Sequence, residues 1–368
     1  MRVALVHDWL IAMRGGERVL EQLALMFPDA EIFTLLCRRD ALSPILRERV
    51  IHTSPLSRLP GARRFYRHAL PFFPALVERF DLRGFDLVIS SSHCVAKGVR
   101  VPADVPHLCY CHTPMRYLYD QSAAYSDRFS PLVRAGFGLV RPRLQRWDRR
   151  TAQRVTAFVA NSEHVRARIR TLYGRDADVV HPPVDVDRFV ARNEREDYYV
   201  TTAALVPYKR VDLIVQAFNT LGRRLVVIGS GPEQKALQRS AAPNITFTGW
   251  IPDDQVADLL SRARAFVFAG VEDFGIALVE AQAAGAPVIA YARGGALETV
   301  VHGESGVLFG EQTTEALAGA VIASEQHTFS PAALRRHAQS FGAEHFRAAM
   351  YDRIERACHG NLQPAGSL

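Results

Sequence analysis

The run Ala265-Phe-Val-Phe-Ala-Gly270-Val-Glu272-Asp-Phe-Gly275-Ile-Ala-Leu-Val-Glu280-Ala-Gln-Ala-Ala-Gly285-Ala-Pro-Val-Ile-Ala290 decides the fold of this chain. Ala265–Phe268 is an apolar run of strand length, and Pro287–Ala290 is another. Between them a helix begins near Gly275 and ends at Gly285. Glu272 falls in the loop before that helix, where its carboxylate and the N–H groups after it face the carboxyl end of the strand. Glu280 lies about a turn and a half into the helix. A helix this rich in Ala and Gly packs close to its sheet. Either glutamate alone reads as a solvated charge, but the pair, with Asp273-Phe274-Gly275 between its members, reads as a site.

The same alternation extends in both directions. Upstream, Arg2–His7, Glu31–Leu35, Asp86–Ser90, His107–Cys111 and Thr156–Ala160 read as strands. The last ends at Asn161-Ser162, a good N-cap for a helix running to about Tyr173. A second series comprises Tyr198–Ala203, Leu225–Ile228, Ile245–Phe247, Ala265–Phe268, Pro287–Ala290 and Gly306–Phe309. Strands alternating with helices predict α/β architecture with parallel sheets. The stretch from His181 to Asp197 is rich in proline and charge, lacks periodicity and reads as a linker. Two doubly wound domains follow, 1–190 and 191–341, with a last helix at 342–358 free to cross back onto the first and a frayed tail from Gly360. Such sheets bind ligands beyond the carboxyl ends of their strands, so a cleft between the domains is the expected site.

The chain has 368 residues, more than the roughly 250–300 at which one hydrophobic core stops growing, so two domains suit its length. Its 48% apolar and 23% charged residues exclude a largely disordered chain. No apolar run approaches the ~18 residues that span a bilayer. The opening residues read as a buried strand rather than a signal peptide, which predicts a cytoplasmic location, peripheral on the inner face of the plasma membrane. The five cysteines are odd in number and unevenly spaced, which argues against a disulfide framework. Cys109, Cys111 and His112 have no second Cys/His pair at zinc-like spacing, so no metal is expected. The net charge of +7 is unevenly divided: residues 1–190 hold 29 basic and 19 acidic side chains, residues 191–368 hold 16 and 19. Only Lys97, Lys209 and Lys235 are lysines; the rest of the basic residues are arginines. A basic first half suits an anionic membrane or a phosphorylated substrate, and no nucleic-acid recognition motif accompanies it.

Two further glycine turns stand at strand–helix junctions. Gly15-Gly16-Glu17 opens a helix after the first strand, where backbone N–H groups and the helix dipole favour an anion. Gly229-Ser230-Gly231 follows the strand Leu225–Ile228 but lacks the third glycine of a dinucleotide fingerprint and the lysine and hydroxyl of a P-loop.

With these residues in hand, the chain resembles the retaining nucleotide-sugar glycosyltransferases of family 4. Glu272 and Glu280 match the E-x7-E motif of that family. Val6-His-Asp-Trp-Leu10 with Gly15-Gly16-Glu17, His112-Thr-Pro-Met-Arg-Tyr117, Asn161-Ser162, His181-Pro-Pro-Val-Asp185, Val206-Pro-Tyr-Lys-Arg210, Gly249-Trp250 and Gly294-Gly295 match as well. The His112 and Lys209 segments are particularly similar to bacterial O-antigen and exopolysaccharide mannosyltransferases. The resemblance implies the GT-B fold, two Rossmann-like doubly wound domains facing across a cleft, with the first binding acceptor and the second donor. It implies a metal-independent hexosyltransferase with no cofactor, moving α-mannose from GDP-mannose to a glycan or a polyprenyl-diphosphate-linked acceptor. Same-fold alternatives are a UDP-sugar donor (glucosyl or N-acetylglucosaminyl transfer) and a nucleotide-sugar epimerase.

Residue roles follow from the same resemblance. Lys209 meets the diphosphate, with Arg210 beside it and Gly15 and Gly16 supplying backbone contacts. Members of the family commonly place an arginine five residues before the lysine. Here that position is Ala204, which leaves Arg210 or another arginine to share the charge. Glu272 holds the sugar hydroxyls beside the N–H groups of Asp273, Phe274, Gly275 and Ile276, and Glu280 holds the ribose. The turn at Gly229 and Ser230 and the segment Trp250-Ile251 border the nucleotide. His112 faces the reacting carbon, and Arg116 and Tyr117 face the acceptor. Residues 58–80 interleave arginine with Phe and Tyr, a composition suited to an anionic membrane surface.

Overall fold

A computed structural model describes residues 1–119 and 131–359, apart from the side chains at 63, 64, 67, 131–133 and 135. The tail from Gly360 lies outside the described residues. The chain divides into two compact units, Met1–Pro183 joined by the stretch from Phe346, and Val184–His345.

The first unit is built on a parallel sheet of β1 (Val3–His7), β2 (Glu31–Thr34), β3 (Ile51–Thr53), β4 (Leu87–Ser92), β5 (His107–Cys111), β6 (Ala157–Ala160) and β7 (Asp178–Val179). Their order across the sheet is β3-β2-β1-β4-β5-β6-β7. The second unit carries β8 (Tyr199–Thr202), β9 (Leu225–Ile228), β10 (Ile245–Gly249), β11 (Ala265–Phe268), β12 (Val288–Tyr291) and β13 (Gly306–Phe309), in the order β10-β9-β8-β11-β12-β13. Both are doubly wound sheets, and the α/β expectation holds. The strand order reverses at β1/β4 and at β8/β11, so each unit has a switch point where diverging loops open a crevice at the carboxyl ends. β3 and β7, of three and two residues, are too short to show as periodic runs.

Parallel sheets covered on both faces need strands that are apolar throughout, and β1, β4, β5 and β11 are buried along their whole length. The chain passes to the second unit after Pro183, not at the expected 190/191. Val184, Val186 and Phe189 are buried in the core of the second unit, while the charged residues between them face outward. The prolines and charges around these three anchors are what made the stretch look like a linker. At the far end, the helix Ala343–Cys358 places Phe346, Met350, Ile354 and Ala357 in the first unit's core beside Val3, Leu5 and Leu20. Among the described residues no helix is long and apolar enough to cross a membrane.

Candidate functional site

In the second unit the site is assembled at the ends of β8 and β11. After β8 the chain makes a short turn, Pro207–Lys209, and then enters the helix Val211–Leu221. Arg210, at the join, has φ +53°, the only non-glycine residue with positive φ among those described. This left-handed step costs an L-residue energy and is held by tertiary contacts. Its guanidinium reaches both carboxylate oxygens of Asp212 (3.1 and 3.3 Å from Nε) and donates to Oε1 of Gln312 at 3.1 Å. The turn lies directly on β11, because a Cβ on Gly270 would sit 3.0 Å from the Lys209 Cα and carbonyl oxygen. That approach brings the Lys209 ammonium onto Oε1 of Glu272, an ion pair 14% and 25% exposed on its two sides. The ammonium also lies 5.7 Å from the ring centre of Phe268.

The Glu272 loop is fixed from its far side by two glycines. The N–H of Gly295 donates to the Glu272 carbonyl at 2.9 Å, and a Cβ on Gly294 would fall 2.3 Å from that same oxygen. Phe274 turns its ring into the core against Phe341, so only its backbone borders the loop. Gly275, at φ +92°, then opens the helix Ile276–Ala283, whose first N–H groups have no intrahelical partner. Asp273 and Ile276 flank it, both half-buried. Glu280 is ion-paired: Arg188 spans it and Asp253, donating to Glu280 Oε1 at 2.8 Å and Asp253 Oδ2 at 2.9 Å. Asp253 and Asp254 form the first turn of the helix Asp253–Arg262, one step inside the N-cap at Pro252 rather than serving as the cap itself.

The glycine turn 229–231 closes on the chain's own backbone. Cβ atoms at Gly229 and Gly231 would lie 2.0 and 2.3 Å from the carbonyl oxygens of Ala203 and Leu205, and the Ser230 carbonyl accepts the Leu205 N–H at 3.0 Å. These glycines are needed so that the loops after β8 and β9 can touch. Trp250 is 77% exposed, and Ile251 packs against the core beneath it.

In the first unit the register pairs His7 with Ser91 across β1 and β4 and Ser91 with Tyr110 across β4 and β5. Ser91 Oγ lies 3.1 Å from His7 Nδ1 and 2.7 Å from His112 Nε2. Gly16 faces both rings across a gap of about one methyl group, since a Cβ there would stand 3.5 Å from His7 Cε1 and 3.6 Å from His112 Nε2. Burial, reinforced by the nearby His93, pushes both imidazoles down to about 3, so both are neutral at pH 7. Asp8 is fully buried and accepts four backbone N–H bonds, from His93, Cys94, Val95 and Ala96, at 2.6–2.9 Å. Its Oδ2 also lies 3.1 Å from His93 Nδ1. Gly15 begins the helix Gly15–Met26, and Glu17 accepts the Arg14 N–H at 3.1 Å. Burial raises the Glu17 carboxyl above its ordinary range.

Arg116 and Tyr117 occupy the turn Arg116–Leu118. The Tyr117 hydroxyl is engaged internally, 2.6 Å from Cys94 Sγ and 3.1 Å from Met115 Sδ. In the stretch 58–80, Tyr66 and Phe73 are also internal, packed on Trp9 at 5.2 and 6.2 Å. Leu59, Phe65 and Phe72 of that stretch are exposed, whereas the side chains of Arg63, Arg64 and Arg67 lie outside those described.

Two family profiles match the chain, "Glycosyltransferase Family 4" over residues 13–188 and "Glycosyl transferases group 1" over residues 185–341. Each profile covers just under half of the chain, and together, over residues 13–341, they support a GT-B glycosyltransferase of family 4. It is 35% identical over 201 residues to the GDP-mannose-dependent alpha-(1-6)-phosphatidylinositol monomannoside mannosyltransferase of Mycobacterium tuberculosis, covering 45% of this chain and 51% of that one. To the D-inositol 3-phosphate glycosyltransferase of Jonesia denitrificans it is 27% identical over 261 residues, 58% and 61% of the two chains. The matched region thus spans about half to three-fifths of these relatives' length. Among solved structures, sucrose-phosphate synthase from Thermosynechococcus elongatus superposes with a TM-score of 0.71 at 18% identity, covering 98% and 100% of the two chains. HepE from Anabaena in complex with UDP gives 0.68 at 16% identity, covering 96% and 100%. These likenesses identify the GT-B fold.

Several residues at the carboxyl ends of the two sheets had little local signal. Arg188 sits in the aperiodic stretch before β8 and reaches Glu280 across 92 positions of sequence. His7, Asp8, Ser91 and His93 are ordinary strand-end residues until β1 and β4 are paired. The consecutive polar residues Ser90-Ser-Ser-His93 at the end of the otherwise apolar β4, and the Val6–Leu10 motif that holds His7 and Asp8, are the traces the sequence offered.

Proposed function

We propose that this chain is a retaining α-mannosyltransferase that takes its sugar from GDP-mannose and passes it to a lipid-linked or oligosaccharide acceptor in bacterial surface polysaccharide synthesis. The observation that carries the reading is the Lys209–Glu272 pair at the end of β11, beside the opening of the helix Ile276–Ala283. A departing nucleoside diphosphate is a dianion, and it needs a cation and N–H donors where the negative charge grows. Lys209 supplies the cation. Glu272 accepts hydrogen bonds from sugar hydroxyls, and Glu280, held by Arg188, accepts those of the ribose. As the bond from the anomeric carbon to the phosphate oxygen breaks, the acceptor oxygen attacks the same face of the oxocarbenium-like sugar. The departing phosphate oxygen takes the acceptor's proton. Such a route requires neither a carboxylate nucleophile nor a metal, and His112 of the first unit contacts the reacting sugar.

The mannose reading draws on the GDP-mannose-dependent relative. A UDP-sugar donor is the second reading, because the same fold carries UDP in HepE. Protection from thermal unfolding by GDP-, UDP- and dTDP-sugars separates them, since a ligand at 100 times its dissociation constant stabilises by about 2.7 kcal/mol. GDP-mannose is expected to give the largest shift. A larger one from a UDP-sugar overturns the donor, and no shift from any nucleotide sugar overturns the reading as a whole.

The protein works at the inner face of the plasma membrane in this reading, with exposed Leu59, Phe65 and Phe72 entering the headgroup layer among Arg58 and Arg79. At low salt it is expected to sediment with anionic liposomes and to stay in solution with neutral ones. Equal sedimentation with both, or with neither, removes the membrane from the proposal.

A further inference from the structure

Among the described residues Ser91 Oγ is the only hydrogen-bond partner of both His7 Nδ1 and His112 Nε2, and a hydroxyl has a single proton to give. If both imidazoles donated to the two lone pairs of Ser91 Oγ, the buried hydroxyl proton would have no acceptor among the described residues, so two arrangements place every proton of the chain. In one, His112 donates from Nε2 to Ser91, and Ser91 donates to His7 Nδ1. Neutral His7 then carries its proton on Nε2. In the other, His7 donates from Nδ1 to Ser91, Ser91 donates to His112 Nε2, and His112 carries its proton on Nδ1.

The environment of His7 decides between them. His7 is 1% exposed, and its Nε2 has no hydrogen-bond partner among the described residues. The first arrangement would place an N–H there with nothing to receive it, and orphaned buried donors are among the rarest features of folded proteins. The second leaves only a lone pair, the milder deficit. His112 is half-buried, and its Nδ1 bonds to no described residue, so that nitrogen is the one open to a ligand.

We propose that His7 and Ser91 are positioning residues that hold His112 as its Nδ1–H tautomer, so that His112 meets the substrate as a hydrogen-bond donor and not as a base. The inference deepens the transferase reading, since the donated bond matters only if His112 contacts a sugar or acceptor oxygen. It also agrees with a reaction in which the departing phosphate, not a histidine, collects the acceptor's proton.

Long-range proton–nitrogen spectra of uniformly 15N-labelled protein, with His112→Gln to assign the signal, read the tautomer directly and without any substrate. His112 is expected to show a protonated Nδ1 and a bare Nε2 in the wild type. Ser91→Ala is expected to shift it towards the Nε2–H form and to lower kcat about tenfold with donor KM little changed, the size of one orienting hydrogen bond. Ser91→Thr, which keeps the hydroxyl, restores both. A wild-type His112 protonated on Nε2 overturns the proposal, as does a Ser91→Ala protein with an unaltered tautomer. Absence of any transfer by the wild type would instead count against the transferase reading and leave the tautomer result standing.

Discussion

Lys209→Ala is expected to lower kcat for glycosyl transfer by about 10²–10³-fold, the usual cost of removing one preorganised donor to a developing anion. Neither motif neighbour replaces the lysine. Arg210 is committed to Asp212 and Gln312 and is held in a left-handed backbone step, and Ala204 offers no charge. The substitution also strips Glu272 of its partner, leaving a bare carboxylate facing a dianionic leaving group. Part of the loss is therefore repulsion, and it can be separated. Adding Glu272→Gln to Lys209→Ala should recover some of the rate, although Glu272→Gln alone slows transfer. Steady-state kinetics on the four proteins of this cycle give the coupling between the two groups. A Lys209→Ala enzyme within about threefold of wild type would remove the lysine from leaving-group stabilisation. Strict additivity would show that the ion pair has no part in the reaction.

What the sequence could show about this site depended on the range of the interactions. Glu272 and Glu280 sit on one strand–loop–helix unit, so their relation follows from spacing. Lys209 was visible because it matches a motif at the entrance of the helix Val211–Leu221 and lysine is scarce in this chain. Everything resting on strand pairing was hidden. The His7–Ser91–His112 chain exists because β4 lies between β1 and β5, and no local pattern encodes that adjacency. Gly229 and Gly231 are ambiguous in sequence for another reason, since a glycine-rich strand–helix turn looks alike whether a phosphate or a neighbouring loop requires the glycines. Here the Ala203 and Leu205 carbonyls require them. Tyr117 likewise matched a motif by position, while its hydroxyl found Cys94 and Met115 in the core.

The second large effect is on stability. Lys97 and Asp148 form an ion pair that is 2% and 0% exposed. Burial pulls the lysine's proton affinity down, but Asp148 outweighs it, and the ammonium ends above its ordinary value. The lysine is therefore charged at neutral pH, with its ammonium 5.6 Å from the ring centre of Trp147 and 5.2 Å from that of Tyr173. Asp148→Ala strands this charge among aromatic rings and is expected to cost about 3–5 kcal/mol, whereas Lys97→Met with Asp148→Leu recovers most of the loss. The damage reaches the site. Asp148 also accepts the Tyr119 hydroxyl at 2.8 Å, and the Leu118 carbonyl accepts from Arg141 and Gln145 of the helix Pro131–Ala152 at 2.9 and 2.7 Å. Together these bonds tie the segment that follows His112 to that helix. Denaturant unfolding followed by tryptophan fluorescence isolates the first unit, because Trp9 and Trp147 lie in it and Trp250 is already exposed in the native state. A midpoint for Asp148→Ala close to wild type would mean that water reaches the pair. If the double variant stays as unstable as Asp148→Ala, the pair is holding the segment after His112 through Tyr119, and transfer activity in that variant should fall with the stability.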